Sequence, residues 1–298
     1  WCCPFAYPKQ PTPVPNIDNA VQLGAGASSH CAVTKSGAVK CWGGAIYGAL
    51  GRGVCDMADS VAQPVAGLPA MAHVSVGAGY VLAIDTGCQL WGWGLNSSST
   101  LGTGTCLQCE PKPVVSALDA VVAVAPSTGY IGTAGANLYG RAASSLALRT
   151  DGTVWASGHT FGGSCAIGDD YYDGGYKTLG DGVQNASSKF LQVALKESAI
   201  AVAAGQFHRC VVAKSGTLWC WGANKHGQLG DGSASTRTTP VQVKGLAAKV
   251  AAVACGGNDE APDSGHTCAL LVDGKVMCWG RNASGQLGTG TAFDSYEP

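Results

Sequence analysis

The sequence predicts an all-β protein, a β-propeller whose blades are four-stranded sheets. Its composition favours short strands and turns over helices, because 46% of the 298 residues are hydrophobic, only 12% are charged and 44 are glycine. A unit of about 50 residues recurs five times, which is typical of solenoids and propellers. Apolar residues occupy both faces of its strands, as in sheets packed between neighbouring sheets.

A proline-rich arm, residues 1–19, precedes the first repeat. Its five prolines exclude a helix and favour an extended segment. Elsewhere a proline-containing connector lies between one repeat and the next, as in residues 62–70 and 238–247. We therefore expect the arm to complete the last blade, so that pairing of the N- and C-terminal segments closes the ring. The alternative is that the chain is part of a larger ring.

The five repeats predict a single propeller domain over residues 1–298. Its blades are expected at about 20–70, 71–119, 120–197, 198–247 and 248–298. In the fourth repeat, Leu218 and Cys220 share one face of a strand, and Trp219 and Trp221 share the other. Insertions at 126–143, 159–177 and 256–265 interrupt the third and fifth repeats.

Two stretches carry the repeat most clearly, HRCVVAKSGTLWCWGANKHGQLGDG at 208–232 and HTCALLVDGKVMCWGRNASGQLGTG at 266–290. They resemble repeats of the regulator of chromosome condensation superfamily, whose members are β-propellers with four-stranded blades. The resemblance covers four repeats well and the third in part. The best-known members have seven blades, whereas five are recognised here. Hairpin cysteines are also foreign to the family's nuclear exchange factor, although secreted members look like this.

Fourteen cysteines indicate a disulfide framework, and therefore an oxidising compartment and a secreted protein. Because the chain begins at Trp1, it is expected to be a processed form or a fragment. Three cysteine pairs are ten residues apart and centred on the residue before a turn glycine. A three-residue hairpin loop places such residues opposite each other, at disulfide distance. The predicted hairpin disulfides are Cys31–Cys41, Cys210–Cys220 and Cys268–Cys278.

The cysteines are expected to act as structural links. In the third repeat, Leu146 and Ala156 hold the two hairpin positions, which indicates packing and not redox chemistry. The CxxC at 106–109 has no second ligand pair for zinc and no predicted helix to activate a thiol. No metal and no cofactor are therefore expected. The sequence assigns no partners to Cys2, Cys3, Cys55, Cys88, Cys106, Cys109, Cys165 and Cys255.

Charge and motifs exclude several classes of function. The formal net charge is −1 and no basic run occurs, which argues against binding to nucleic acid or to an anionic membrane surface. No apolar run is long enough for a membrane-spanning helix, so no membrane insertion is expected. The known nucleophile, zinc-protease and phosphate-loop motifs are absent, so the chain is not expected to be an enzyme.

Candidate functional residues lie in sequons and insertions. Possible glycosylation sites are Asn96, Asn185 and Asn282. The candidate binding loops contain aromatic and acidic residues: Tyr130, Tyr139, Asp169, Asp170, Tyr171, Tyr172, Asp259 and Glu260. The acidic clusters lack the spacing of a calcium loop.

A secreted, non-enzymatic scaffold is the preferred functional hypothesis. Its partner is expected to be another extracellular protein or a glycan, bound by variable loops on a rigid frame. The first alternative is a lectin, in which repeated aromatic residues stack on sugars. The second is a secreted enzyme inhibitor, by resemblance to the propeller that inhibits β-lactamase. The third is a nuclear exchange factor for a small GTPase.

Overall fold

The structure of the chain is a computed structural model that describes residues 11–44, 47–55, 58–127, 143–159, 178–182, 186–257 and 264–298. Regular structure within these residues consists of nineteen strands in five sheets and no helix, which confirms the all-β prediction. Accordingly, these residues contain no helix with the length and hydropathy of a membrane span.

The strands follow one another in short, regular steps. They are β1 (Ala20–Ala25), β2 (Ser29–Thr34), β3 (Val39–Gly43), β4 (Asp59–Pro64), β5 (Met71–Val76), β6 (Tyr80–Asp85), β7 (Leu90–Gly94), β8 (Glu110–Val115), β9 (Val121–Pro126), β10 (Ala143–Arg149), β11 (Val154–His159), β12 (Ala186–Gln192), β13 (Ala199–Ala204), β14 (His208–Ala213), β15 (Leu218–Gly222), β16 (Arg237–Gln242), β17 (Val250–Gly256), β18 (His266–Leu271) and β19 (Val276–Gly280).

Each sheet is an antiparallel meander of consecutive strands. Strands β1–β4, β5–β8, β9–β12 and β13–β16 form blades 1 to 4, and β17–β19 form blade 5. The first strands β1, β5, β9, β13 and β17 contact one another in that order, so the blades follow each other side by side. Closure of the ring by the terminal segments stays a prediction, because residues 1–10 of the arm lie outside the described part of the chain.

Blade 5 begins a fourth strand with the C-terminal segment. Gly280 forms an isolated bridge with Ser295. The equivalent glycines, Gly43 and Gly94, pair with Asp59 and Glu110 on the fourth strands of blades 1 and 2. Residues after the last Gly-rich corner therefore enter the position that a connector strand takes in the other blades.

Four apolar clusters among the described residues lie between neighbouring blades, and a small fifth cluster pairs Phe207 with Ala223 in blade 4. Between blades 1 and 2, for example, Val33 and Val39 of blade 1 pack with Val74, Val81 and Trp93 of blade 2. Burial of apolar area on this scale is the main stabilising contribution in a repeat protein, where each unit contacts only its neighbours. Both faces of blades 2, 3 and 4 are therefore covered, as predicted for sheets packed between neighbouring sheets.

In blades 2, 4 and 5, a tryptophan connects the blade to the Gly-rich corner of the preceding one. Trp221 is fully buried, and its Nε1 donates to the carbonyl of Thr178 in blade 3 at 2.8 Å. Trp93 and Trp279 donate to Ala49 and Gln228 in the same way, at 3.0 and 3.1 Å. Gly180 makes this approach possible, because a Cβ there would lie 2.7 Å from Trp221 Nε1. We refer to this contact as the interblade clamp.

Blade 3 keeps the clamp although Ser157 replaces the tryptophan. Ser157 Oγ donates to the carbonyl of Thr100 in blade 2 at 3.2 Å. Phe190, from the fourth strand of blade 3, lies against Gly102 of the same corner. In blade 3, therefore, the Ser157 hydroxyl makes the hydrogen bond and the Phe190 ring makes the contact with the corner glycine. In blades 2, 4 and 5 one indole makes both.

An asparagine organises the corner itself in blades 2, 4 and 5. Asn224 Oδ1 accepts the N–H of Leu229 at 2.9 Å, and its Nδ2 donates to the carbonyl of Ser233 at 2.9 Å. Asn96 and Asn282 accept from Leu101 and Leu287 at 3.1 and 3.0 Å. The side chain thus replaces missing backbone partners in a tight turn.

Candidate functional site

Three insertions interrupt the strands at one rim of the molecule. The first falls between β9 and β10, whose residues Pro126 and Ser145 are paired. The second falls between β11 and β12, and Ser145 is also paired with Ser157 near its start. The third falls between β17 and β18, where Gly256 pairs with His266. Because antiparallel strands bring these ends together, all three insertions leave from the same edge of blades 3 and 5.

The candidate binding residues within these insertions are Tyr130, Tyr139, Asp169, Asp170, Tyr171, Tyr172, Asp259 and Glu260, and all lie outside the described residues. The sequon residue Asn185 also lies outside them. Their role stays a prediction. The described residues at the same rim are the strand ends between which the insertions lie.

A buried polar network runs along this rim from blade to blade. Tyr80 of blade 2 is fully buried, and its hydroxyl accepts from the N–H of Ser127 at 3.0 Å and from Ser145 Oγ at 3.1 Å. Burial raises the pKa of the Tyr80 phenol, so it stays protonated. The Tyr80 hydroxyl therefore connects blade 2 to residues at both ends of the first insertion.

Arg209 connects the rim of blade 4 to that of blade 3. Its side chain is fully buried and donates to the carbonyls of Gly205 and His208, at 2.7 Å each, and to Ser144 Oγ of blade 3. Burial lowers the pKa of the guanidinium to about 10, which leaves it charged at neutral pH. No carboxylate among the described residues is hydrogen-bonded to it. The dipoles of the two backbone carbonyls and of the Ser144 hydroxyl stabilise the charge of the guanidinium instead.

His208 connects blade 4 to blade 5. Thr267 Oγ1 donates its proton to the carbonyl of Gln228 at 2.8 Å. The contact of 3.0 Å between His208 Nε2 and the same oxygen therefore has the imidazole as donor. This fixes the neutral tautomer with the proton on Nε2. Burial first, and then the charge of Arg209 and the nearby His266, lower the pKa of His208 to about 3.

The neutral His208 predicts that the fold loses stability on mild acidification. In the unfolded chain this imidazole takes up a proton near its ordinary pKa, whereas in the fold it stays neutral down to about pH 3. The contribution of the neutral imidazole to the free energy of unfolding is complete above the pKa of His208 in the unfolded chain. It is lost as the pH falls from that value towards the pKa of His208 in the folded protein. From pH 7 to pH 5 it lowers the free energy of unfolding by about 2 kcal/mol.

Urea unfolding at a series of pH values measures this loss. In the His208→Asn variant the slope of stability against pH between 5 and 6 is expected to fall by roughly one proton per molecule. The matched control is His226→Asn, since His226 is a half-buried imidazole that contacts Asp294 at 2.7 Å. An unchanged slope in the His208 variant contradicts the assignment.

The structure places the three predicted hairpin pairs at disulfide distance. Cys31 is paired with Cys41, Cys210 with Cys220, and Cys268 with Cys278, each directly opposite its partner in the hairpin register. A fourth pair was not assigned by the sequence. Cys55 of blade 1 is joined to Cys109, which precedes the fourth strand of blade 2. The CxxC at 106–109 therefore does not act as a dithiol pair, since Cys109 has this other partner.

Two free thiols remain among the described cysteines, Cys88 and Cys255. The sulfurs of Cys255 and Cys210 and a ring nitrogen of His208 lie within 4.8 Å of one another. Cys210 is already bonded to Cys220, so it does not offer a thiolate. Burial of the sulfur raises the pKa of Cys255 to about 12, which leaves the thiol protonated and unreactive.

The residues of blade 3 at the cystine positions indicate which pair can replace a hairpin cystine. Leu146 and Ala156 are fully buried at the positions of Cys210 and Cys220. The double variant Cys210→Leu/Cys220→Ala is therefore expected to keep the packing and lose only the cross-link, about 2 kcal/mol. Cys210→Ser/Cys220→Ser additionally buries two hydroxyls and is expected to cost about 2 kcal/mol more. Urea unfolding of the two variants gives the comparison, and equal losses contradict a packing role.

Two predicted glycosylation sites are placed in the interior. The side chains of Asn96 and Asn282 are fully buried. The Nδ2 atom, which would carry the glycan, donates to Thr105 in one case and to Thr291 and Phe293 in the other. A glycan would break these bonds and need space that the corner does not have. The structure therefore speaks against glycosylation at both positions in the folded chain.

Sequence reasoning missed the rim network. The sequence signals were His208, which has a counterpart in His266 of the next repeat, and Arg209, a charged residue in a strand whose last four residues are apolar. Tyr80, Ser144 and Ser145 gave none, because their partners lie on neighbouring blades.

The His208–Thr267 contact is not a base–nucleophile pair, because the imidazole is the donor and the Thr267 hydroxyl gives its proton to the carbonyl of Gln228. The network is suited to fixing the ends of the insertions with respect to one another.

Comparison with protein families and curated proteins identifies the repeat. Residues 215–259, and separately 199–228 with 264–286, match the family described as the regulator of chromosome condensation (RCC1) repeat. The chain is 30% identical to the human E3 ubiquitin-protein ligase HERC2 over 88% of its own length and 5% of the ligase. It is 30% identical to the ultraviolet-B receptor UVR8 of Arabidopsis thaliana, over 91% of its length and 55% of the receptor. The chain thus spans about half or less of these relatives.

Solved structures show the same fold. Human WBSCR16 superimposes with a TM-score of 0.72 at 20% identity, over 94% of this chain and 66% of that one. Prp20p of Saccharomyces cerevisiae, described with its binding to Gsp1p and histones, superimposes with a TM-score of 0.68 at 20% identity. That match covers 94% of this chain and 62% of Prp20p.

Proposed function

Because the chain belongs to the RCC1-like β-propeller superfamily, we propose that it is a secreted, non-enzymatic scaffold that binds another extracellular protein through its insertion-bearing rim. The observation that carries the proposal is that all three irregular insertions leave from one edge, where a buried polar network joins neighbouring blades. A rigid frame that presents variable segments from one side is the usual construction of a binding surface.

The compartment is supported by the cysteines. Four pairs lie at disulfide distance in the structure, and one of them links two blades. Such pairs persist where thiols are not kept reduced by glutathione and thioredoxin. A nuclear exchange factor would work in a reducing environment, which argues against that alternative.

Protein binding is supported by the relatives in a general way. HERC2 is a ligase, UVR8 is a receptor, and Prp20p binds Gsp1p and histones. Those activities and partners belong to those proteins. What this chain shares with them is the blade framework, and its insertions are where its own partner would be recognised.

The test compares a variant of the rim with a variant of the opposite edge. Tyr171→Ala/Tyr172→Ala alters the second insertion. The matched control, Lys214→Ala/Ser215→Ala, alters the exposed hairpin turn of blade 4 at the other edge. The wild-type protein is immobilised in native extracellular fluid, the retained protein is identified and purified, and its affinity for each variant is measured.

We expect the rim variant to lose about tenfold or more in affinity, as for truncation of an aromatic anchor, and the control to bind as the wild type does. Retention of no protein, equal effects of the two variants, or turnover of a substrate would each overturn the proposal. Binding on a glycan array would support a lectin instead, and inhibition of a secreted enzyme would support an inhibitor.

A further inference from the structure

A free thiol lies against a disulfide at the junction of blades 4 and 5. Cys255 packs against the apolar cluster that contains the Cys210–Cys220 pair of blade 4. The sulfurs of Cys255 and Cys210 lie within 4.8 Å of each other, although Cys255 is in β17 and Cys210 in β14. Exchange between a thiol and a disulfide requires that these sulfurs approach each other, and here they already lie side by side.

The equivalent cluster between blades 1 and 2 contains a cystine but no free thiol among the described residues. There the Cys31–Cys41 pair packs with Val76. Val76 has the position of Cys255 in its blade, because each is paired with the second residue of the next strand. An aliphatic side chain is therefore sufficient to cover a hairpin cystine. The molecule thus contains two cystines in matching positions, one that faces a thiol and one that faces a valine.

The surroundings of Cys255 keep its thiol protonated at neutral pH. Burial raises the pKa of Cys255 to about 12, and the charge of Arg209 acts in the opposite direction without offsetting it. His208 of β14 also faces the sulfur, has a buried Nδ1 without a partner among the described residues, and lies near His266 of β18. Because the thiolate is the form that attacks a disulfide, the Cys210–Cys220 pair persists at neutral pH and its exchange becomes faster as the pH rises.

We propose that Cys255 exchanges with the hairpin disulfide of blade 4. The Cys255 thiol gives its proton to hydroxide from the solvent, and the thiolate attacks Cys210 Sγ. The Cys210–Cys220 bond breaks, a Cys210–Cys255 bond forms, and Cys220 leaves as a thiolate that takes a proton from water. One disulfide and one thiol are present before and after the step, so no oxidant or reductant takes part. The cross-link moves from within blade 4 to the junction between blades 4 and 5.

Disulfide mapping of the folded protein after incubation at pH 7, 8 and 9 tests the exchange. Free thiols are alkylated in acid under unfolding conditions, where exchange stops, and linked peptides are identified by mass spectrometry. Trypsin separates Cys210 from Cys220 after Lys214, and cleavage at the acidic residues that follow Cys255 separates it from Cys268. The products measured are the linked Cys210–Cys255 peptide and alkylated Cys220.

Two variants, each lacking one of the two free thiols, are the matched controls. Cys255→Val introduces the residue that blade 2 has at this position. Cys88→Gly introduces the residue that the other four blades have at the same hairpin turn, where Cys88 has a positive φ of 65°. Urea unfolding verifies that both variants are folded.

We expect the wild type to form the Cys210–Cys255 link about tenfold faster for each unit of pH, because the thiolate fraction rises by that factor. Cys255→Val is expected to keep the Cys210–Cys220 pair at every pH, and Cys88→Gly to exchange as the wild type does. The pair that faces Val76 is expected to stay intact. Absence of the Cys210–Cys255 link at pH 9, formation at the same rate at each pH, or loss of exchange in Cys88→Gly would overturn the proposal.

Discussion

Replacing Trp221 by alanine is expected to lower the free energy of unfolding by about 4 kcal/mol. The indole is fully buried in the cluster between blades 3 and 4, and it donates to the carbonyl of Thr178 at 2.8 Å. The substitution leaves both a cavity between blades 3 and 4 and an unpaired carbonyl at Thr178.

Trp42→Ala is the matched control for this prediction. Trp42 has the same place in its blade, but it is half-buried and no blade among the described residues packs on it. We expect a loss of about 1 kcal/mol, as for a partly exposed aromatic residue. Urea unfolding of both variants gives the comparison. Similar losses at the two positions would contradict the assignment of the stability to interblade contacts.

Replacing Asn224 by alanine is expected to cost about 3 kcal/mol. The amide is fully buried and has partners for its oxygen and its nitrogen, namely Leu229, Ser233 and Asp231. Alanine leaves the buried N–H of Leu229 and the partly buried carbonyl of Ser233 without these partners, in the corner that carries the carbonyl accepting from Trp279. The change should therefore also loosen blade 5.

The control for the corner is Lys225→Ala. This neighbouring residue is exposed, and substitutions at exposed positions usually change stability by less than about 0.5 kcal/mol. Hydrogen exchange adds a local readout. In the Asn224 variant, amide protons of β17 and β18 are expected to exchange faster than those of β1 and β2, at the far end of the chain. A uniform change in all blades would speak against a local role.

The local part of this fold was accessible from the sequence. A spacing of ten residues about a turn glycine predicted that Cys210 lies opposite Cys220, and the strands have that register. Alternation in one strand predicted that Leu218 and Trp221 lie on different faces, and they pack in the clusters on either side of blade 4. Both inferences depend only on backbone geometry over a few residues.

The contacts between blades were not accessible in the same way. Nothing near Cys55 in the sequence indicates Cys109, because the two meet only when the corner of blade 1 lies beside the connector of blade 2. The same holds for Arg209 and Ser144, which are 65 residues apart. Asn96 and Asn282 each begin a glycosylation sequon. In the structure both are buried and accept hydrogen bonds from the backbone of the Gly-rich corner. Tertiary packing decided each of these cases.

The most direct test of a disulfide-linked, extracellular propeller is a disulfide map of the unreduced protein from its native source, obtained by peptide mass spectrometry after alkylation. The expected linked pairs are Cys31–Cys41, Cys55–Cys109, Cys210–Cys220 and Cys268–Cys278, with Cys88 and Cys255 alkylated as free thiols once the protein is unfolded. Free thiols throughout would contradict the compartment, and pairing of Cys106 with Cys109 would contradict the arrangement of blades 1 and 2.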